Sequence, residues 1–302
     1  MIDNSEKNII SLDKWMGSII GLAIGDQLGS LTEGKARGSF EKVRGMDPDT
    51  FWTDDTSQAL CLADSLISTK KFDLTDQLER YSKWLFEGYL SSKDWGYGCG
   101  PTARLAINNF KKNGKPSPVK DQATNGALMR LCPIPLYYSY NLAEAINKSG
   151  ESAKSTHDNP ICVDACRLYG SMIVKAVQRR EKEFILEYDH KLWTDKPLEK
   201  SIQIVAQGSF KEKNLSEIKG TLNILESIEA SLWAFNHSSS FAEGALMAVN
   251  MGDDADTTAA IFGQLAGAFY GYEAIPIDWR SKLLEKELIE FIANKLYEFR
   301  KN

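Results

Sequence analysis

Apolar residues along the chain recur with a helical period and almost never alternate. Ala59, Leu62, Ala63, Leu66 and Ile67 form one helix face, Leu74, Leu78, Tyr81 and Leu85 a second, and Ile224, Leu225, Ile228, Leu232 and Phe235 a third. Helix-start chemistry stands where such faces begin. Asp73 precedes one, Asn159 with Pro160 opens the run through Cys166 and Ile173, and Asn214 with Glu217 three residues on predicts the start of another. Pro133 and Pro135 break the pattern after Met129. Polar links such as Lys111 to Pro118 are short, strand signals are scarce, and no long linker or fixed repeat divides the sequence. The pattern predicts an all-α fold in a single domain over residues 1–302.

Two segments carry smooth stripes. Gly17, Gly21, Gly25 and Gly29 recur every four residues, as do Ala259, Gly263, Gly267 and Gly271. Glycine inside a helix costs about 1 kcal/mol relative to alanine, so its repetition implies that another backbone comes close. These segments are expected to be closely packed central helices.

Composition narrows the partners. The 302 residues hold 36 Lys and Arg against 41 Asp and Glu, a formal charge of −5, with 43% hydrophobic residues, which is ample for a core with an internal cleft. No basic block provides the footprint that nucleic acid requires. The charges of Asp3, Glu6, Lys7, Asp13 and Lys14 do not suit a secretory signal, and the apolar stretch from Gly17 to Gly25 is too short to span a bilayer. Cys61, Cys99, Cys132, Cys162 and Cys166 are an odd set without a CxxC pair, which reads as free thiols in a reducing cytoplasm. With His157, His190 and His237 as the histidines, a zinc cluster is not expected.

Two acidic clusters stand out: Thr53-Asp54-Asp55-Thr56 and Gly252-Asp253-Asp254-Ala255-Asp256-Thr257, each at the head of a helical segment. One helix cap needs one side chain, whereas these acids are doubled and tripled, and their mutual repulsion requires an offset. If Asp54, Asp55, Asp254 and Asp256 converge, their four charges match two divalent ions, with Thr53 and Thr257 adding neutral oxygens. Oxygen-only ligation selects Mg²⁺, Mn²⁺ or Ca²⁺ over zinc.

Five ordered blocks resemble the ADP-ribosylglycohydrolases: GSIIGLAIGDQLGSLTEG from Gly17, WTDDTSQALCLADSL from Trp52, NGALMRLCPIPLYY from Asn125, STHDNPICVDACRLYG from Ser155, and GDDADTTAAIFGQLAGAFYG from Gly252. The resemblance implies a compact orthogonal helical bundle with a binuclear Mg²⁺ or Mn²⁺ centre in a central cleft. It implies metal-dependent hydrolysis of the C1 glycosidic bond between mono-ADP-ribose and a modified protein side chain. The implied ligands are Thr53, Asp54, Asp55, Asp254, Asp256 and Thr257. Glu33 matches the family's loop glutamate. Asn125, Gly126 and Met129 would line the nucleotide cleft, and Ser155, Thr156 and His157 would offer donors to the diphosphate or ribose. Arg130 would be either a phosphate partner or half of a buried ion pair.

Cleavage at C1 passes through an oxocarbenium-like state and needs leaving-group help and a positioned water. Glu33 and Asp55 are the expected proton handlers. Many arginine-directed members carry D-I-G-x-T where this chain has Gly98-Cys99-Gly100-Pro101-Thr102, so Gly98 replaces their aspartate. Tyr97 and Gly98 instead look like the glycine loop of the serine-directed branch, and Asp94 is a possible substitute carboxylate. The linkage, arginine or serine, stays open at this point. The alternatives are a catalytically silent ADP-ribose- and metal-binding protein of the same fold, or a Mg²⁺-dependent prenyl-diphosphate enzyme, against which Gln58 breaks the D-D-x-x-D spacing. The expected partners are an ADP-ribosylated protein and the product ADP-ribose, with no nucleic acid and no membrane, and the protein is expected to be a cytoplasmic monomer.

Overall fold

The two smooth stripes meet. The computed structural model describes residues 10–178 and 181–300, so Asp3, Glu6 and Lys7 lie outside the described residues. Among these residues there are fourteen α-helices: α1 (Leu12–Gly29), α2 (Asp54–Thr69), α3 (Leu74–Glu87), α4 (Pro101–Asn113), α5 (Pro133–Tyr137), α6 (Leu142–Ala153), α7 (Pro160–Val177), α8 (Lys182–Ile185), α9 (Lys200–Ala206), α10 (Ile224–His237), α11 (Phe241–Val249), α12 (Ala255–Tyr270), α13 (Ile277–Lys282) and α14 (Lys286–Glu298). The described residues form no β-strand; extended pairing is confined to isolated bridges, Val119 with His157 and Thr124 with Asn223.

Helices α1 and α12 lie antiparallel at backbone contact in the centre. A Cβ on Gly17 would lie 2.3 Å from Gly267 O, one on Gly21 2.3 Å from Gly263 O, and one on Gly25 2.1 Å from Ala259 O. At the far end, a Cβ on Gly29 would lie 2.3 Å from Asp256 Cα. The stripe therefore delivers one acidic cluster against the C-terminal end of α1. Side chains of α2, α7, α10 and α14 surround this pair and complete the core.

Local signals explain most boundaries. Asp73 caps α3 by accepting from the N–H groups of Thr75 and Asp76 at 3.1 and 3.2 Å, and Asn159 caps α7 by accepting from Ile161 at 3.0 Å. Pro133 and Pro135 do not simply interrupt: they occupy the first turn of α5, where a missing N–H costs nothing. The helix expected from Asn214 is not formed. Its capping box with Glu217 exists but supports only the 3₁₀ turn Leu215–Glu217, and α10 starts from a later cap, Asn223. Tertiary bonds explain the early stop. Arg37 donates to Leu215 O and Ile218 O at 2.6 Å each, and Asp254 N–H donates to Gly220 O at 2.8 Å, drawing the chain across to α12.

All five cysteines are free thiols. No helix among the described residues is long and apolar enough to cross a membrane.

The contact between α1 and α12 leaves no space for a methyl group at its centre. A Cβ at Gly263 would lie 2.0 Å from Gly21 O, so Gly263→Ala has to push the helices apart even though alanine is the better helix former. The expected loss is about 2–3 kcal/mol, a fall of roughly 4–6 °C in Tm. Circular-dichroism melting checks it, and an unchanged Tm would contradict the close packing.

Candidate metal centre and cleft

Three helix ends converge on one point. The C-terminal end of α1 contributes Asp26, the start of α2 contributes Thr53, Asp54 and Asp55, and the start of α12 contributes Asp254, Asp256 and Thr257. Thr53 does not cap α2 with its own side chain. Asp26 caps that helix from outside, accepting from Thr53 N–H at 2.9 Å, Thr53 Oγ1 at 3.0 Å, Thr56 N–H at 3.0 Å and Thr56 Oγ1 at 2.6 Å. Burial pushes the Asp26 carboxyl up to about 6 in spite of these four donors.

Asp26, Asp55 and Asp256 have carboxylate oxygens within 4.8 Å of one another. Thr53 Oγ1 sits among them, 3.1 Å from Asp55 Oδ2 and 3.5 Å from Asp256 Oδ2. Burial raises Asp54, Asp55 and Asp256 well above the usual carboxylate range, and neighbouring carboxylates add to the rise. Among the described residues, Asp55 Oδ1 and Asp256 Oδ1 are buried without a hydrogen-bond partner. Orphaned carboxylate oxygens facing like charge are costly, and hard divalent cations are the species that oxygen donors of this kind accept. The donor set therefore fits Mg²⁺ or Mn²⁺. Asp26 differs from the others because four protein donors already occupy its oxygens; it anchors the cluster.

Asp54, Asp254, Asp256 and Thr257 reach the wall of a cleft of about 300 Å³, which is within the range of small-molecule sites. Asp254 Oδ2 accepts from Asn125 Nδ2 at 2.5 Å, and Asp54 Oδ2 accepts from Gln58 Nε2 at 3.3 Å and Gly100 N–H at 3.4 Å. Asp55 is fully buried behind this wall, so the expectation that it handles protons does not suit its position. Glu33 does line the cleft. Burial, then the charge of Asp254, raises its carboxyl. Its loop is stitched to the turn before α12 by Gly34 N–H donating to Asp253 O at 2.7 Å and Asp253 N–H donating to Lys35 O at 2.8 Å. Gly252 (φ 74°) and Asp253 (φ 55°) both adopt left-handed backbone to make that turn, and a Cβ on Gly252 would lie 2.5 Å from Lys35 O.

The remaining expected residues divide. Gly98, Asn125, Gly126, Met129 and His157 line the cleft. Gly98 has φ 85°, and a Cβ there would lie 2.9 Å from Thr53 Cβ and 3.0 Å from Asp54 Oδ1, so this backbone has no room for an aspartate at position 98. Asp94 is exposed and outside the cleft lining. Tyr97 is half-buried beside the lining, its phenol raised by burial and then by the charge of Glu33. Ser155 and Thr156 do not offer donors to a ligand: both are fully buried and turned to Arg130, which donates to them at 3.1 and 2.6 Å. Arg130 itself does not reach the cleft surface, and among the described residues it forms no ion pair. It is fully buried, also donates to Gln58, and lies over the Tyr81 ring at 4.6 Å.

Sequence reasoning missed Asp26 as the anchor. The available signal was its position as the lone charged residue in the mainly apolar, glycine-striped stretch from Trp15 to Gly29.

Asp256→Asn removes one of the two orphaned oxygens' carboxylates, and calorimetry is expected to show loss of tight Mn²⁺ binding; an unchanged isotherm would reject Asp256 as a ligand. Carboxylates raised by folding bind protons more readily in the folded chain, so cation-free stability falls as pH rises through that range. His157, lowered to about 3 from 6.5 by burial, acts in the opposite sense, but mainly below pH 6.5. In chelator, Tm is expected to be higher at pH 6 than at pH 8, and excess Mn²⁺ should raise Tm more at pH 8. Equal shifts at both pH values would contradict the charge cluster.

The ADP-ribosylglycohydrolase family model matches residues 7–302. The ADP-ribosylarginine hydrolase Tri1 of Serratia proteamaculans (strain 568) is 34% identical over 299 residues, covering 95% of this chain and 80% of that protein. The ADP-ribosyl-(dinitrogen reductase) glycohydrolase of Rhodospirillum rubrum is 28% identical over 294 residues, covering 91% and 93%. A solved structure of an ADP-ribosylglycohydrolase-related protein complex aligns with a TM-score of 0.83 at 35% identity, covering 95% of this chain and 98% of that one. A prenyl-diphosphate enzyme is accordingly set aside. The chain belongs to the ADP-ribosylglycohydrolase family, whose members hydrolyse ADP-ribosyl linkages.

Proposed function

We propose that the protein is a divalent-cation-dependent hydrolase that releases mono-ADP-ribose from a modified arginine side chain of a protein substrate. The observation that carries this reading is the pair of orphaned oxygens on Asp55 and Asp256, behind and at the wall of a cleft able to take a small-molecule ligand. Thr53, Asp54, Asp55, Asp254, Asp256 and Thr257 would hold two Mg²⁺ or Mn²⁺ ions. Bound there, such ions supply positive charge for sugar hydroxyls and lower the pKa of water.

The chain's own groups do the rest. Asn125 fixes the Asp254 carboxylate, and Gln58 with the Gly100 N–H fixes Asp54. Gly98 and Gly126 add no side chain of their own to the cleft wall, where a Cβ would press on Thr53 and Asp54 or on His157, and Met129 supplies an apolar surface beside them. Glu33, raised by burial and by Asp254, holds a proton closer to neutral pH than an ordinary carboxyl. It can give that proton to the departing side chain and accept one from the attacking water.

Two observations favour arginine over serine. The relative at 34% identity is an ADP-ribosylarginine hydrolase. A second groove, sharing Glu33, Leu222 and Asp254 with the cleft, adds Asp253 to its lining, and an acidic groove suits a cationic guanidinium leaving group. One chain would supply the whole site, and the protein would act as a single-domain monomer. Its free thiols suit the cytoplasm.

The test is incubation with arginine-modified and serine-modified peptides in Mg²⁺, with and without chelator. Release of ADP-ribose from the arginine peptide, abolished by chelator, is expected. Glu33→Gln should lower kcat by about 10²–10³-fold while Mn²⁺ binding persists. Tight ADP-ribose binding without release from any peptide would instead identify a silent binding protein, and release insensitive to chelator would overturn the cation requirement.

A further inference from the structure

Arg130 sets the direction of a hydrogen-bond chain that ends in the cleft. Its guanidinium donates to Thr156 Oγ1 at 2.6 Å, and that oxygen also lies 2.7 Å from His157 Nδ1. A guanidinium can only donate. Were Nδ1 protonated as well, Thr156 would receive two donors, and its own buried hydroxyl proton would find no acceptor among its bonded partners. Thr156 therefore donates to Nδ1, which makes His157 the Nε2–H tautomer.

The same reasoning carries outward. His157 Nε2 lies 2.9 Å from Thr124 Oγ1 and donates to it, and the Thr124 hydroxyl then donates to Thr102 Oγ1 at 3.1 Å. Thr102 is 6% exposed and lines the cleft, and among the described residues its hydroxyl accepts from Thr124 while its own proton has no acceptor. It also stands in the first turn of the 13-residue α4, directly after Pro101, where backbone N–H groups are free of helical partners and favour anions. Burial, with the charge of Arg130, lowers the His157 pKa to about 3, so the imidazole stays neutral and the chain keeps its direction.

We propose that Arg130 is a positioning residue that acts through Thr156, His157 and Thr124 to make Thr102 a fixed hydrogen-bond donor to a phosphate oxygen of the bound nucleotide diphosphate. This rests on reading the cleft as an ADP-ribose site. It gives Thr156 and His157 a role behind and within the wall, and it adds Thr102 to the binding surface.

Long-range ¹H–¹⁵N spectra of the imidazoles, with His157 assigned by its loss in His157→Gln, test the direction of the chain in the unmodified protein. The Nε2–H tautomer is expected; the Nδ1–H form or an imidazolium at pH 7 would overturn the inference. Calorimetry with ADP-ribose tests the donor. Thr102→Val is expected to bind about tenfold to a hundredfold more weakly, and Thr102→Ser within about threefold of the unmodified chain. Valine at unchanged affinity would also overturn it. Because the tautomer is read without any change at Thr102, a folding defect in the valine variant leaves the test intact. ADP-ribose binding with the reversed tautomer rejects this inference alone, whereas an unmodified chain that binds no ADP-ribose rejects it together with the nucleotide reading.

Discussion

Like charge withdrawn from water is the constraint around which this molecule is arranged. Asp26, Asp55 and Asp256 are buried with their oxygens within 4.8 Å of one another, and Asp54 and Asp254 stand at the adjoining wall. Folding energy has to hold this group together against repulsion and desolvation, and it does so by fixing the backbone around it from three directions. The α1–α12 contact brings Asp256 to α1, Asp26 clamps the start of α2, and Asn125 restrains Asp254. Such a cluster is unfavourable for a bare protein and well suited to one that binds cations.

The glycine stripes are the means of this arrangement. With side chains at the four stripe positions of α1, its C-terminal end could not approach α12 to backbone distance, and Asp26 and Asp256 would be held apart by a layer of methyl groups. Packing at the centre and chemistry at the rim are thus one feature seen at two ends of the same helix pair.

Much of this was legible in the sequence because it is local or periodic. The faces of α2, α3 and α10, the caps Asp73 and Asn159, and the paired stripes all follow from spacing. The acidic clusters announced themselves through charge that a helix cap alone does not need. What spacing could not give is the direction of a side chain at a helix end. Asn214 and Glu217 form their capping box, yet Arg37 and the Asp254 turn claim the chain beyond it. Ser155 and Thr156 sit in the expected block but turn inward, because a buried guanidinium from a distant segment needs their oxygens. Asp26 looked incidental until folding set it against a helix more than twenty residues later in the chain.

The two backbone bonds between the Glu33 loop and the turn before α12 have a mechanical consequence. Residues 34 and 35 are tied to Asp253, one position from Asp254, and that turn is already wound through two left-handed residues. A swing that lifts Glu33 away from the cleft must break those bonds or drag Asp254 with it. Movement of this loop and the placement of the adjoining carboxylate are therefore geared to each other, so a lesion in either is felt as slackness in both.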